Sequence, residues 1–117
     1  MSKELTTREL AAYPFLEAAV RIDTAKQNPD NKEMLALVLD DNVALWVYFK
    51  HLLLNSTEGV TEETRDHFIE ISEFMIKAAR RLLHEIDMEL MDWLVTINLN
   101  TSERMLQAQD GPPVLHS

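Results

Sequence analysis

Turn-forming residues are scarce in this chain. Two glycines and four prolines stand where average usage would place roughly fourteen in 117 residues. Hairpin turns, barrel corners and loops that cradle phosphate with exposed backbone N–H groups all draw on glycine, so little of any of them can be built. The chain is therefore predicted to be all-α, a single small bundle of about four helices. Apolar residues make up 46% of it, enough for one core at this length, and the reading is one helical domain over residues 1–109. Asp110-Gly111-Pro112-Pro113 ends any helical run, which leaves 110–117 as a flexible tail.

Periodicity and capping signals place the helices. Thr6-Thr7-Arg8-Glu9 has the spacing of a capping box, with the Thr6 hydroxyl accepting from the third helical N–H. The first helix runs from there to about Gln27, and Tyr13, Leu16, Ala19 and Val20 trace its apolar stripe. Pro14, about two turns inside, deletes one backbone hydrogen bond and predicts a kink or a later start. Asn28-Pro29-Asp30-Asn31 is a loop, Asp30-Asn31-Lys32-Glu33 offers a second cap with three-residue spacing, and helix 2 is expected to begin near Asn31. Its stripe, from Met34 and Leu35 to Leu52 and Leu53, is too wide for one seam and marks a central helix. Asn55-Ser56-Thr57-Glu58-Gly59 breaks the pattern. Thr61 then caps helix 3, which carries Glu62 and Glu63 at its positive dipole end and Lys77, Arg80 and Arg81 near its negative end. Phe68, Ile71, Met75, Ala78 or Ala79, Leu82 and Ile86 form its expected buried face, and the helix extends to about Glu85. Asp87 caps a fourth helix from Met88 to about Gln107.

Catalytic constellations are hard to find. Cysteine is absent, which removes disulfides and thiolate chemistry. His51, His67, His84 and His116 fall on different segments, and no Glu-x-x-His pair suits a di-iron bundle. Glu63 and His67, with Asp66, Glu70 and Glu73, form a carboxylate ridge on helix 3 that reads as a solvated face rather than a metal site. No serine has the glycine flanks of a nucleophile elbow, and no P-loop, dinucleotide or zincin motif occurs. The reading is no enzyme, no metal and no cofactor. A net charge of −9, of which −6 lies beyond Glu58, repels phosphate backbones and anionic lipid heads. No apolar run approaches the roughly 18 to 20 residues that span a bilayer, and no signal-peptide pattern opens the chain, so a cytoplasmic protein acting on protein partners is expected.

Helix 4 holds an apolar surplus. Leu90, Leu94, Ile97 and Thr101 share one face, while Met88, Met91 and Val95 share another with Leu99. Trp93 and Met105 add to the second set. Methionine is flexible and polarizable, so such a face suits either core packing or an incoming amphipathic helix. It is also the face through which a homodimer would form. Asn98 and Asn100 point to different sides; helix-interior asparagine is unfavourable without a partner, so at least one is expected to bond a neighbouring helix or loop backbone, with partner contact as the other use.

Asn42, Leu45, Trp46 and Phe49 in helix 2 complete an Asn-x-x-Leu-Trp-x-x-Phe pattern that resembles the signature of the FlaF family of flagellar biosynthesis regulators, found in alphaproteobacteria. The resemblance runs in order along residues 6 to 106. Thr7-Arg8-Glu9-Leu10-Ala11-Ala12 and Glu17-Ala18-Ala19 are similar to the family's first helix, and Glu63 to Leu83 to its third. Ile97-Asn98-Leu99-Asn100 is similar to its Ile-Asn-Arg-Asn, with Leu99 in place of the basic residue. The resemblance implies a small cytosolic protein that binds flagellin, is needed for its production and export, and works alongside a companion regulator, FlbT. Under this reading Met88, Met91, Trp93, Val95, Leu99, Met105, Asn98 and Asn100 are the expected partner-binding residues. Trp46 is read as a core anchor or a groove residue. The alternative, a translational regulator touching flagellin mRNA directly, would rest on Lys77, Arg80 and Arg81; a generic helical interaction module is the remaining reading.

Overall fold

In the computed structural model, residues 7–55 and 60–107 are described, and they form four helices with no strand among them. These are α1 (Thr7–Gln27), α2 (Lys32–Asn55), α3 (Glu62–His84) and α4 (Met88–Gln107). The expected Thr6 cap, most of the break at 56–59 and the expected tail at 110–117 lie outside the described residues.

Caps define three of the four starts. Asn31 Oδ1 accepts from the Met34 N–H at 3.1 Å and opens α2. Thr61, in extended conformation, accepts from Thr64 N–H at 3.1 Å and opens α3. Asp87 Oδ1 accepts from Leu90 N–H at 3.2 Å and opens α4 directly after the α3 C-cap at Glu85. Thr61 and Asp87 sit where the sequence signals place them, while at α2 the cap is Asn31, one residue past the Asp30-to-Glu33 spacing. Helix α1 continues through Pro14, so a start near that residue is not found. The position is tolerable because Leu10 and Pro14 are both exposed, which leaves the unpaired Leu10 carbonyl within reach of water.

The helices alternate in direction. Lys26 at the end of α1 meets Asp92 at the start of α4, and Arg21 of α1 reaches Asp41 of α2 at 3.6 Å. Lys50 of α2 reaches Glu73 of α3 at 3.8 Å. The hydrogen bond to Asp92 raises the Lys26 ammonium above its ordinary range, so this tie is present at neutral pH and is lost as pH climbs through the alkaline titration of lysine. Contact is most extensive between α1 and α4 and between α2 and α3; α3 and α4 form the sparsest of the neighbouring pairs.

At the centre, Phe15, Trp46, Phe49 and Phe68 interlock edge to face, with neighbouring centroids 5.2 to 5.6 Å apart. This geometry sets the positive ring edge against the negative face, and each pair contributes about 0.5–1.5 kcal/mol beyond its area burial. Arg104 of α4 stacks over Phe68, its guanidinium carbon 4.7 Å from the ring centroid.

The buried stripe of α1 differs from the expected one. Ala12, Phe15, Ala19, Ile22 and Ala25 face the core, whereas Tyr13, Leu16 and Val20 are exposed. Small residues contribute to this: alanines on α1 and Thr101 and Ser102 on α4 are buried, beside Phe15 and Ile22, in the helix pair with the most extensive contact, where small side chains permit close approach. Ile86, expected on the buried face of α3, lies beyond the end of that helix and is exposed.

Candidate functional site

The two sequence patterns that carry the family resemblance meet inside the bundle. Trp46 Nε1 donates to Asn98 Oδ1 at 3.0 Å, and Asn98 Nδ2 donates to Asn42 Oδ1 at 2.9 Å. All three residues are fully buried. The backbones of α2 and α4 do not approach each other among the described residues, so the two helices meet through side chains, and this hydrogen-bonded chain is a tie between them across the core. Asn42 Nδ2 is buried without a hydrogen-bond partner. Leu45 is half-buried and, with Phe49, lines a 190 Å³ recess bounded by Leu10, Pro14, Tyr48 and Met105. The signature is thus a core device first, and Trp46 is a core anchor.

The expected partner-binding residues divide by position. Met88, Trp93, Leu99 and Asn100 are exposed on α4 and Val95 is half-buried. Met91, Met105 and Asn98 are corrected: each is 1% exposed or less, sealed in the seam that α4 presents to the bundle. That seam runs Met91, Leu94, Asn98, Thr101, Met105, one step away from the face chosen by hydrophobicity. It holds polar residues because they are satisfied internally. Thr101 Oγ1 donates to the Ile97 carbonyl at 2.8 Å and Ser102 Oγ to the Leu99 carbonyl at 2.7 Å, while Asn98 is spent on α2. Met91→Ala is expected to lower unfolding free energy by about 2–3 kcal/mol through the cavity it leaves, as read by urea denaturation.

Leu90 and Ile97, displaced from the seam, look instead toward α3. Because α3 and α4 touch so sparsely, an apolar groove of 550 Å³ opens between them. Ile71 and Phe74 form one wall, and Leu90, Trp93 and Ile97 the other. Phe74 is 42% exposed and Trp93 53% exposed, so two large rings stand half in water. His67 and Glu70 close one end. Of these residues only Trp93 was singled out from sequence as a partner contact. The available signal for Phe74 was that it falls off the otherwise clean apolar stripe of α3.

Among the described residues, no group of three or more His, Asp or Glu side chains is arranged to hold a metal ion, and the carboxylate ridge of α3 is exposed. Lys77, Arg80 and Arg81 are exposed on the C-terminal half of the same helix. No described helix is long and apolar enough to cross a membrane.

Antiparallel helices, a hydrogen-bonded polar seam and an open apolar groove define a small all-α bundle. The chain belongs to the FlaF family, for the family model described as Flagellar protein FlaF matches residues 1–103. Comparisons with curated proteins and with solved structures find no match.

Proposed function

We propose that this protein is a flagellin-binding regulator, chaperone-like in the synthesis and export of flagellin, which acts in the cytoplasm by protein contact and without catalysis. The observation that carries the reading is the α3/α4 groove. A globular chain buries Trp and Phe when it can, and a pair of half-exposed rings lining one apolar cleft is the kind of surface that receives another apolar segment. Family membership supports the flagellar context. The net charge of −9 favours a protein over an RNA partner.

Co-purification of the full chain with the flagellin of its own organism tests this. A complex at micromolar concentration is the expected result, and its absence defeats the proposal. Tight, sequence-specific retardation of flagellin mRNA at physiological salt would also overturn it in favour of direct translational control.

A further inference from the structure

The apolar groove does not end at its last ring. His67 and Glu70 belong both to the groove and to a shallow shelf that continues along α3, formed with Glu62, Glu63 and Asp66. Arg65 offsets part of this charge, reaching Glu62 at 3.9 Å and Asp66 at 3.4 Å. Glu63 and Glu70 have no cation within ion-pair distance among the described residues, and both are exposed. From Glu62 to Phe74 the helix advances about 18 Å, or roughly three turns. One end of that length is apolar and the other carries four carboxylates.

We infer that the groove and shelf together form a single docking track for an amphipathic helix of mixed character, whose apolar turns fill the groove while a Lys- or Arg-bearing turn lies over Glu63, Asp66 and Glu70. This rests on the reading of the groove as a protein-docking site and adds the chemistry and direction of the occupant. The track is asymmetric, so it selects orientation: the basic turn must lie toward the N-terminal end of α3. A second copy of the chain is a poor occupant, because it would bring −9 of like charge to an acidic rim. The carboxylates are solvated, so each contact is individually weak; their combined effect is a preference for one charge sign and a faster, salt-sensitive encounter.

Two synthetic peptides of about 14 residues test the inference without flagellin. Both carry leucine at i, i+3 and i+7; one has lysines in the following turn and the other has glutamates there. Binding is followed by the blue shift of Trp93 emission over the constant background of buried Trp46. The lysine peptide is expected to bind roughly tenfold tighter at low salt, with the preference fading near 0.5 M salt, about where screening reaches a few Å. D66N/E70Q is expected to reduce the preference severalfold and D66K/E70K to reverse it; circular dichroism establishes that each variant is folded. Equal binding of the two peptides by the native protein, or an unchanged preference in D66K/E70K, overturns the inference. If flagellin co-purifies equally with the native protein and with D66K/E70K, the charged shelf is refuted while flagellin binding stands. If the lysine peptide binds as described and flagellin does not, the track stands and flagellin falls as its occupant.

Discussion

Asn98→Ala is expected to lower the unfolding free energy by about 3–4 kcal/mol and the melting temperature by roughly 12–16 °C. The truncation removes an acceptor from Trp46 Nε1 and a donor from Asn42 Oδ1 at once, inside a core where neither can find water. Each orphaned buried group costs about 1–3 kcal/mol, and the lost side-chain volume adds to the penalty. Asn42→Ala is expected to cost less, because Asn42 already leaves one amide nitrogen unpartnered and Trp46 keeps its acceptor. The double variant is expected to fall short of the summed single effects by about 1–2 kcal/mol, the mark of side chains in one network. Urea denaturation at constant m-value reads all three. A loss below about 1 kcal/mol for Asn98→Ala would mean that the α2–α4 bridge contributes little.

Trp93→Asp is expected to weaken flagellin binding at least 30-fold, equivalent to about 2 kcal/mol, while moving the melting temperature by no more than about 2–3 °C. The asymmetry follows from exposure: half of this ring already faces solvent, so the free protein loses little, whereas an occupied groove would bury a carboxylate among Ile71, Phe74, Leu90 and Ile97. Tyr48→Ala serves as the control, because Tyr48 is more exposed than Trp93 yet lies at the recess between α1 and α2. It is expected to leave binding unchanged. If Tyr48→Ala weakens the complex and Trp93→Asp does not, the docking surface is the recess beside the Asn-x-x-Leu-Trp-x-x-Phe signature and not the α3/α4 groove. Isothermal titration of the purified components separates the two outcomes.

Local chemistry was readable wherever a few neighbouring residues decide it. Thr61 and Asp87 cap helices because a short polar side chain precedes an orphan N–H, a relation contained in three or four positions, and at α2 the cap falls on Asn31, one residue past the expected Asp30. Most of the α3 core face was equally plain, since Phe68, Met75 and Leu82 recur at helical spacing on an otherwise charged helix. Faces on α1 and α4 were misassigned for a different reason. Hydrophobicity favours Leu16 and Val20 over Ala12 and Ala25, yet helices that pack closely bury small residues and push larger ones aside. On α4, Asn98, Thr101 and Ser102 sit in the seam because internal hydrogen bonds satisfy them, a property of the partner atoms and not of their own polarity. The groove lay furthest out of reach. It exists because α3 and α4 touch only sparsely, and no single helix records how closely its neighbour packs. The resemblance named Asn42, Trp46 and Asn98, but that they touch is a fact of three dimensions.

The pairing of α1 with α4 sets the order in which the molecule can form. Helices α2 and α3 are adjacent in the chain and pack extensively, so they can associate as a hairpin while the remainder is still being synthesised. Helix α1 has its largest contact with the last helix, some sixty residues away, and Trp46 waits for the same helix to supply Asn98. Until α4 emerges from the ribosome, the indole N–H of Trp46 and most of the buried face of α1 lack their native partner, although Phe15 can already meet Trp46 and Phe49 of α2. Closure of the core therefore waits for α4, and a chain halted before it would leave exposed the apolar surface that α4 covers.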